Sequence, residues 1–242
     1  MSRLSLAFAV GLTGACATTA LGPPPAPASA PGSSSPAPPA DPDADGLQLT
    51  GEQGFLSQGD AETSIQRRWS ELVRCYEEAG SARDFAGGPV KLRFFVDGQG
   101  RVADVHVLES RLGSFDVERC LVRIGRTIAF PRPQGGIQTS FEYSLEFRSS
   151  GVQPVVDLPD GALDQALAAS LAEITARCGS IVGEVTATIY VDPMGTVLSV
   201  GLASSGPLPE ELATCLAHSL RRPLPPLPGA PAISRGQVAL HS

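Results

Sequence analysis

Lysine is nearly missing from this 242-residue chain: Lys91 stands alone among eighteen basic residues, the rest being arginine. Aromatic residues make up 5%, with one tryptophan. No two cysteines are spaced CxxC and no histidines stand at finger spacing, which argues against structural zinc and thioredoxin-type redox chemistry. His106, His218 and His241 are scattered, sharing no spacing with acids or cysteines. GxSxG, HExxH, a phosphate loop and a dinucleotide fingerprint are all absent, so no reaction class has motif support. A net charge of −7 leaves no basic surplus for nucleic acid. The expectation is a chain that is not an enzyme, with no metal, no cofactor, no nucleic-acid partner and no small-molecule substrate.

What the chain does have is a stretch written twice. Shifted by 95 positions, Val90 to Pro133 lies without a gap on Val185 to Pro228. Val96-Asp97 falls on Val191-Asp192, Gly100 on Gly195, Cys120-Leu121 on Cys215-Leu216, Arg126 on Arg221 and Pro131 on Pro226. A shared offset through strand-like, turn and helix-like segments reads as an internal duplication. Each copy has about 80 residues, near the lower limit for a self-sufficient core.

The N-terminus, Met1-Ser2-Arg3 followed by Leu4 to Leu12, has the charged start and short apolar core of a secretory signal. Leu12-Thr13-Gly14-Ala15-Cys16 is similar to a bacterial lipobox, with Cys16 lipidated as the first mature residue; cleavage at Ala15-Cys16-Ala17 with plain secretion is the alternative. From Ala17 to Glu62 there are six acids and no base, and residues 17–60 include a stretch, Gly22 to Asp45, of Pro, Ala, Ser and Gly with late Asp residues. That composition favours an extended, disordered linker. The domains are then expected at 61–150 and 158–242.

In the first copy, Thr63 with Gln66 suggests a capping box ahead of the stripe Ile65, Trp69, Leu72, Val73 and Tyr76. Val90 to Val96 alternates as a strand, Asp97-Gly98-Gln99-Gly100 reads as a hairpin turn, and the strand returns from Arg101 to Glu109. Val102 is out of phase with Val105 and Val107, which predicts a bulge near Ala103-Asp104. Val117, Leu121, Ile124 and Ile128 form a second helical stripe, and Ile137 to Phe147 is the final strand. The second copy repeats helix, strand, strand, helix, strand with fewer aromatics and arginines, which predicts a smaller core and a weaker partner surface. The fold class is α+β, two tandem αββαβ domains.

Four of the five cysteines fall two per copy. If both helices of a copy pack on one sheet face, Cys75 can meet Cys120 and Cys178 can meet Cys215; buried free thiols are the alternative. Cys16 is left over, as a lipid attachment site would be.

Arg67-Arg68-Trp69 with Cys75-Tyr76, Val96-Asp97-Gly98-Gln99-Gly100-Arg101-Val102, Cys120, and Phe130-Pro131-Arg132-Pro133 with Gly135-Gly136 together resemble the AgmX/PglI-type C-terminal domain, which is similar to the TonB C-terminal fold. The resemblance covers about Thr63 to Arg148; Ala129 stands where that pattern has Trp. It implies a periplasmic setting and a sheet whose exposed edge accepts partner chains as added strands. Function is therefore expected as a cell-envelope binding or scaffold lipoprotein on the outer membrane, with envelope proteins as partners. An adaptor in an energised transport or gliding-motility complex and an exported enzyme are the alternatives.

Candidate partner-binding residues follow. Arg119, Arg123 and Arg126 fall at i, i+4 and i+7 opposite an apolar stripe, a basic line suited to an acidic partner or to water. Glu142, Ser144 and Glu146 are the outward positions of the final strand, expected at a sheet edge. Asp97 and Asp192 each open a Gly-containing turn, where an aspartate stabilises the loop rather than catalysing a reaction.

Overall fold

Alternation of Val90, Leu92, Phe94 and Val96 with Lys91, Arg93 and Phe95 produces a strand with one buried face, β1 (Gly88–Val96), which turns through Asp97 into β2 (Val102–Ser110). The Asp97 carboxylate accepts from Arg101 N and Gln99 N, both 2.9 Å, which hold its carboxyl below the usual aspartate range. Asp192 does the same with Thr196 N and Met194 N in the second turn. The bulge expected near Ala103 is present: Phe95 pairs with Asp104 but Val96 with Val102. The second hairpin slips at the matching place, Tyr190 pairing with Ser199 and Val191 with Val197.

The computed structural model describes residues 54–80, 84–149, 153–226 and 232–241, within one compact unit, Thr50–Ser242. The leader, Cys16 and the Pro/Ala/Ser-rich stretch lie outside the described residues. Among the described residues the fold is mixed α+β with five helices and two sheets. Ahead of β1 come α1 (Gln58–Gln66) and α2 (Trp69–Gly80). The helix does not open at Thr63: Ser57 is the cap, its hydroxyl accepting from Asp60 N at 3.1 Å, and Thr63 sits inside α1. A break at Arg67-Arg68 separates α1 from α2, so one apolar stripe is shared by two helices. After β2 come α3 (Phe115–Gly125) and β3 (Thr139–Phe147). The second half contains β4 (Val155–Asp157), α4 (Ala162–Cys178), β5 (Val185–Val191), β6 (Val197–Ser204), α5 (Glu210–Ser219) and β7 (Ile233–Leu240).

The first sheet has the order β2-β1-β3 and the second β4-β7-β5-β6. The sequence pattern did not anticipate β4, a three-residue strand parallel to β7. In the first half α1, α2 and α3 pack on the sheet, and in the second α4 and α5 do. Leu72, Leu121, Leu92 and Phe94 meet in the first core, and Leu163, Ile174, Ile189 and Leu216 in the second. Phe94, Phe130 and Phe141 pack as a trio with centroids 5.2 to 5.7 Å apart. Both expected disulfides are formed, Cys75–Cys120 tying α2 to α3 and Cys178–Cys215 tying α4 to α5. No helix among the described residues is long and apolar enough to cross a membrane.

Candidate functional site

Two surfaces stand out, one at each edge of the first sheet. The first is β3. Arg111 N donates to Pro89 O at 2.9 Å, so the main-chain groups of Pro89 face β2. Alternation turns those of Val90 toward its partner Leu145 in β3. The N–H and C=O groups of Ser140, Glu142, Ser144 and Glu146 therefore point away from the sheet. Among the described residues nothing pairs with them; Gly54 N reaches only Gln138 O, 3.2 Å, just before the strand begins. The corresponding edge in the second half, that of β7, is occupied by β4. Side chains of Ser140, Glu142, Ser144 and Glu146 are exposed, while Leu145 and Phe147 are buried in the core. Glu142 pairs with Arg93 and approaches Lys91 at 3.9 Å, and Lys91 meets Glu109 at 2.7 Å, forming a charged ladder on the outer face.

The second surface is a seam between the halves. The outer face of β5 and β6 does not meet water; it rests on the first half. Thr188 Oγ1 donates to Ser110 O at 2.7 Å, Ser199 Oγ to Gly113 O at 2.6 Å and Tyr190 OH to Gly87 O at 3.1 Å. Arg235 spans the join, bonding Gly87 O at 2.9 Å and Asp157 at 2.8 Å; that guanidinium holds the Asp157 carboxyl below its usual range. Close approach requires small residues. A Cβ on Gly201 would lie 2.3 Å from Glu118 Oε1 and 2.6 Å from Gly113 Cα.

Glu118 is the buried charge of this seam, 2% exposed. It accepts from Ser110 Oγ at 2.6 Å and from Leu202 N, in the other half, at 2.7 Å. Burial nonetheless dominates, and its pKa is pushed up to about 7. Beside Glu118 a cavity of about 520 Å³ opens between α3 and β2 on one side and β6 and α5 on the other. Its apolar walls include Val107, Phe115 and Val122 of the first half and Leu202, Leu208 and Ala213 of the second.

The arginine line of α3 borders this cavity. Arg119 lies 3.7 Å from Glu210 and 5.8 Å from the Phe115 ring, and Arg126 lies 3.8 Å from Asp104. Arg123 Nη2 instead meets Cys120 Sγ at 3.7 Å. His106, on edge strand β2, is buried against Phe95, with Nδ1 3.4 Å from Asp104. His218 and His241 are exposed on other elements, and no group of His, Cys, Asp and Glu among the described residues is arranged to hold a metal ion.

Sequence reasoning located the arginines and the strand but missed the seam and Glu118. A signal existed. Where the first copy has Arg93, Phe95, Asp104, His106 and Leu108, the second has Thr188, Tyr190, Ser199, Gly201 and Ala203, 95 positions on. Neutral and mostly smaller side chains on an outward face mark a face that will be covered. Comparison of the chain with family models, with curated proteins and with solved structures finds no match.

Proposed function

We propose that this chain is a non-catalytic binding or scaffold protein of the cell envelope, built from two tandem copies of a helix–strand–strand–helix–strand module like the AgmX/PglI-type C-terminal domain. Its first copy captures an extended segment of a partner protein by strand addition on β3. One observation carries the reading: the β3 edge is open among the described residues, whereas the equivalent β7 edge is filled by β4. An unprotected nine-residue edge is a pairing template. Glu142 and Glu146 discourage nonspecific stacking without obstructing an incoming backbone.

Proline at Ser144 removes an N–H that points out of the sheet, so the Ser144→Pro protein is expected to fold and to lose partner capture. Photo-crosslinking from position 142 in native envelopes, with circular dichroism as the folding control, measures both. Undiminished crosslinking by a folded Ser144→Pro protein would sink strand addition.

The same reading places the protein on a lipid anchor at Cys16, motivated by the lipobox-like Leu12–Cys16 and by the pairing of the other four cysteines. Mass spectrometry of the mature N-terminus is expected to find acylated Cys16. An unmodified chain starting at Thr18 would mean ordinary secretion.

A further inference from the structure

The cavity at the seam lies on the β2 side of the first sheet, opposite the open β3 edge, so its role is separable from strand addition. Its size is that of a small-molecule site, and it lies where the two halves pack together. The walls are apolar and the rim is charged, but most of those charges are already matched. Arg119 is near Glu210, Arg126 near Asp104 and Arg221 near Asp116, at 3.5 to 3.8 Å. Glu118 uses its two carboxylate oxygens on Ser110 and Leu202. Arg123 has no carboxylate partner among the described residues, its guanidinium meeting only the Cys120 sulfur. Below about pH 7, where Glu118 keeps its proton, the cavity therefore offers hydrocarbon walls and one uncompensated positive charge.

We propose that this cavity binds a monocarboxylate with a short apolar body. The carboxylate sits on Arg123 and the hydrocarbon lies between Val122 and Phe115 of the first half and Leu208 and Ala213 of the second. A guanidinium fork suits a carboxylate, through two parallel N–H···O bonds. A dianion would gain nothing further, because Arg119 and Arg126 are engaged. A cationic amphiphile would fit the walls but be repelled at the rim. The ligand adds to the protein partners that the sequence suggested, and because both halves contribute a wall, it also fastens the seam.

Octanoate, octanol and octyltrimethylammonium, matched in chain length and differing in charge, are the probes. They are titrated at about pH 6, where octanoate is ionised and Glu118 is not, at equal ionic strength into the oxidised protein and followed by amide chemical shifts. Octanoate is expected to shift residues 104–107, 119–123 and 208–213 saturably, octanol to bind about tenfold more weakly, and the cation not to bind. Arg123→Gln, on an exposed helix position, should bring octanoate down to octanol's affinity and leave octanol unchanged. Val122→Trp should abolish both by filling the cavity; if that protein is unfolded, Leu208→Trp closes the cavity from the opposite wall. Equal affinity for octanoate and octanol in the wild type, retained octanoate preference in Arg123→Gln, shifts surviving a folded wall variant, or no saturable shift at all would each overturn the proposal.

Discussion

Glu118→Gln is expected to abolish a loss of stability of about 3 kcal/mol that the wild-type protein undergoes between pH 4.5 and about 7. In the unfolded chain the Glu118 carboxyl ionises near its ordinary value of 4.5; in the fold, burial holds the proton until about 7. Within that window unfolding releases a proton, so raising the pH favours the unfolded chain. Above about 7 the penalty is complete, and below 4.5 it is absent. Glutamine carries no charge and keeps an oxygen for Leu202 N–H, so its urea midpoint should vary less across the window, and the difference between the two proteins isolates Glu118 from other titrating groups. Glu118→Ala leaves the Leu202 N–H and Ser110 O–H without that acceptor and should cost about 2–4 kcal/mol below pH 5. Parallel pH profiles for wild type and Glu118→Gln would refute the buried ionisation.

Removing the Cys75–Cys120 link should cost about 4 kcal/mol, the chain-entropy value for releasing a loop of this length. The bridge spans 45 residues and the second, Cys178–Cys215, spans 37, so the two effects should be similar. Each half is small and leans on its staple. The Cys75→Ala/Cys120→Ala protein, unfolded in urea beside the oxidised wild type, tests this; a loss below about 1 kcal/mol would mean that the bridge constrains little. Neither bridge crosses the seam. The halves are joined by one chain and noncovalent contacts, so reduction should loosen the cores before it parts the halves.

Much of the backbone plan was legible because period-2 and helical patterns are local. The Asp97 and Asp192 turns, the Ala103 bulge and the alternation of β3 follow from spacing within single segments, and the cysteine pairs from the 95-residue repeat and the packing of both helices on one sheet face. What escaped was contact between segments. Thr63 resembled a cap because Thr-x-x-Gln suits one, yet Ser57 does that work six residues earlier. β4 is too short to carry a periodic signal, and it is held by its pairing to β7. The scarcity of arginine in the second copy read as a weakened partner surface, whereas Thr188, Ser199 and Gly201 are neutral because the first half covers them. Glu118 resembles any solvated glutamate on an amphipathic helix; only the arrival of β6 makes it a buried one.

The face of β5 and β6 docks on the loops and helix end of the first half, and not on a copy of itself. Contacts between unlike surfaces are not self-complementary, and the same join made between molecules would propagate as an open fibre unless its rotation closed a ring. The surface that would have to serve as the next docking face is the outer side of β1 and β2, and it carries Arg93 and Asp104 where the docked face carries Thr188 and Ser199. Burying those charges and their partners Glu142 and Arg126 against a neighbour's loops would carry a desolvation cost that Thr188 and Ser199 do not. The join is made once, within the chain, and the charged outer side of β1 and β2 opposes its repetition between molecules.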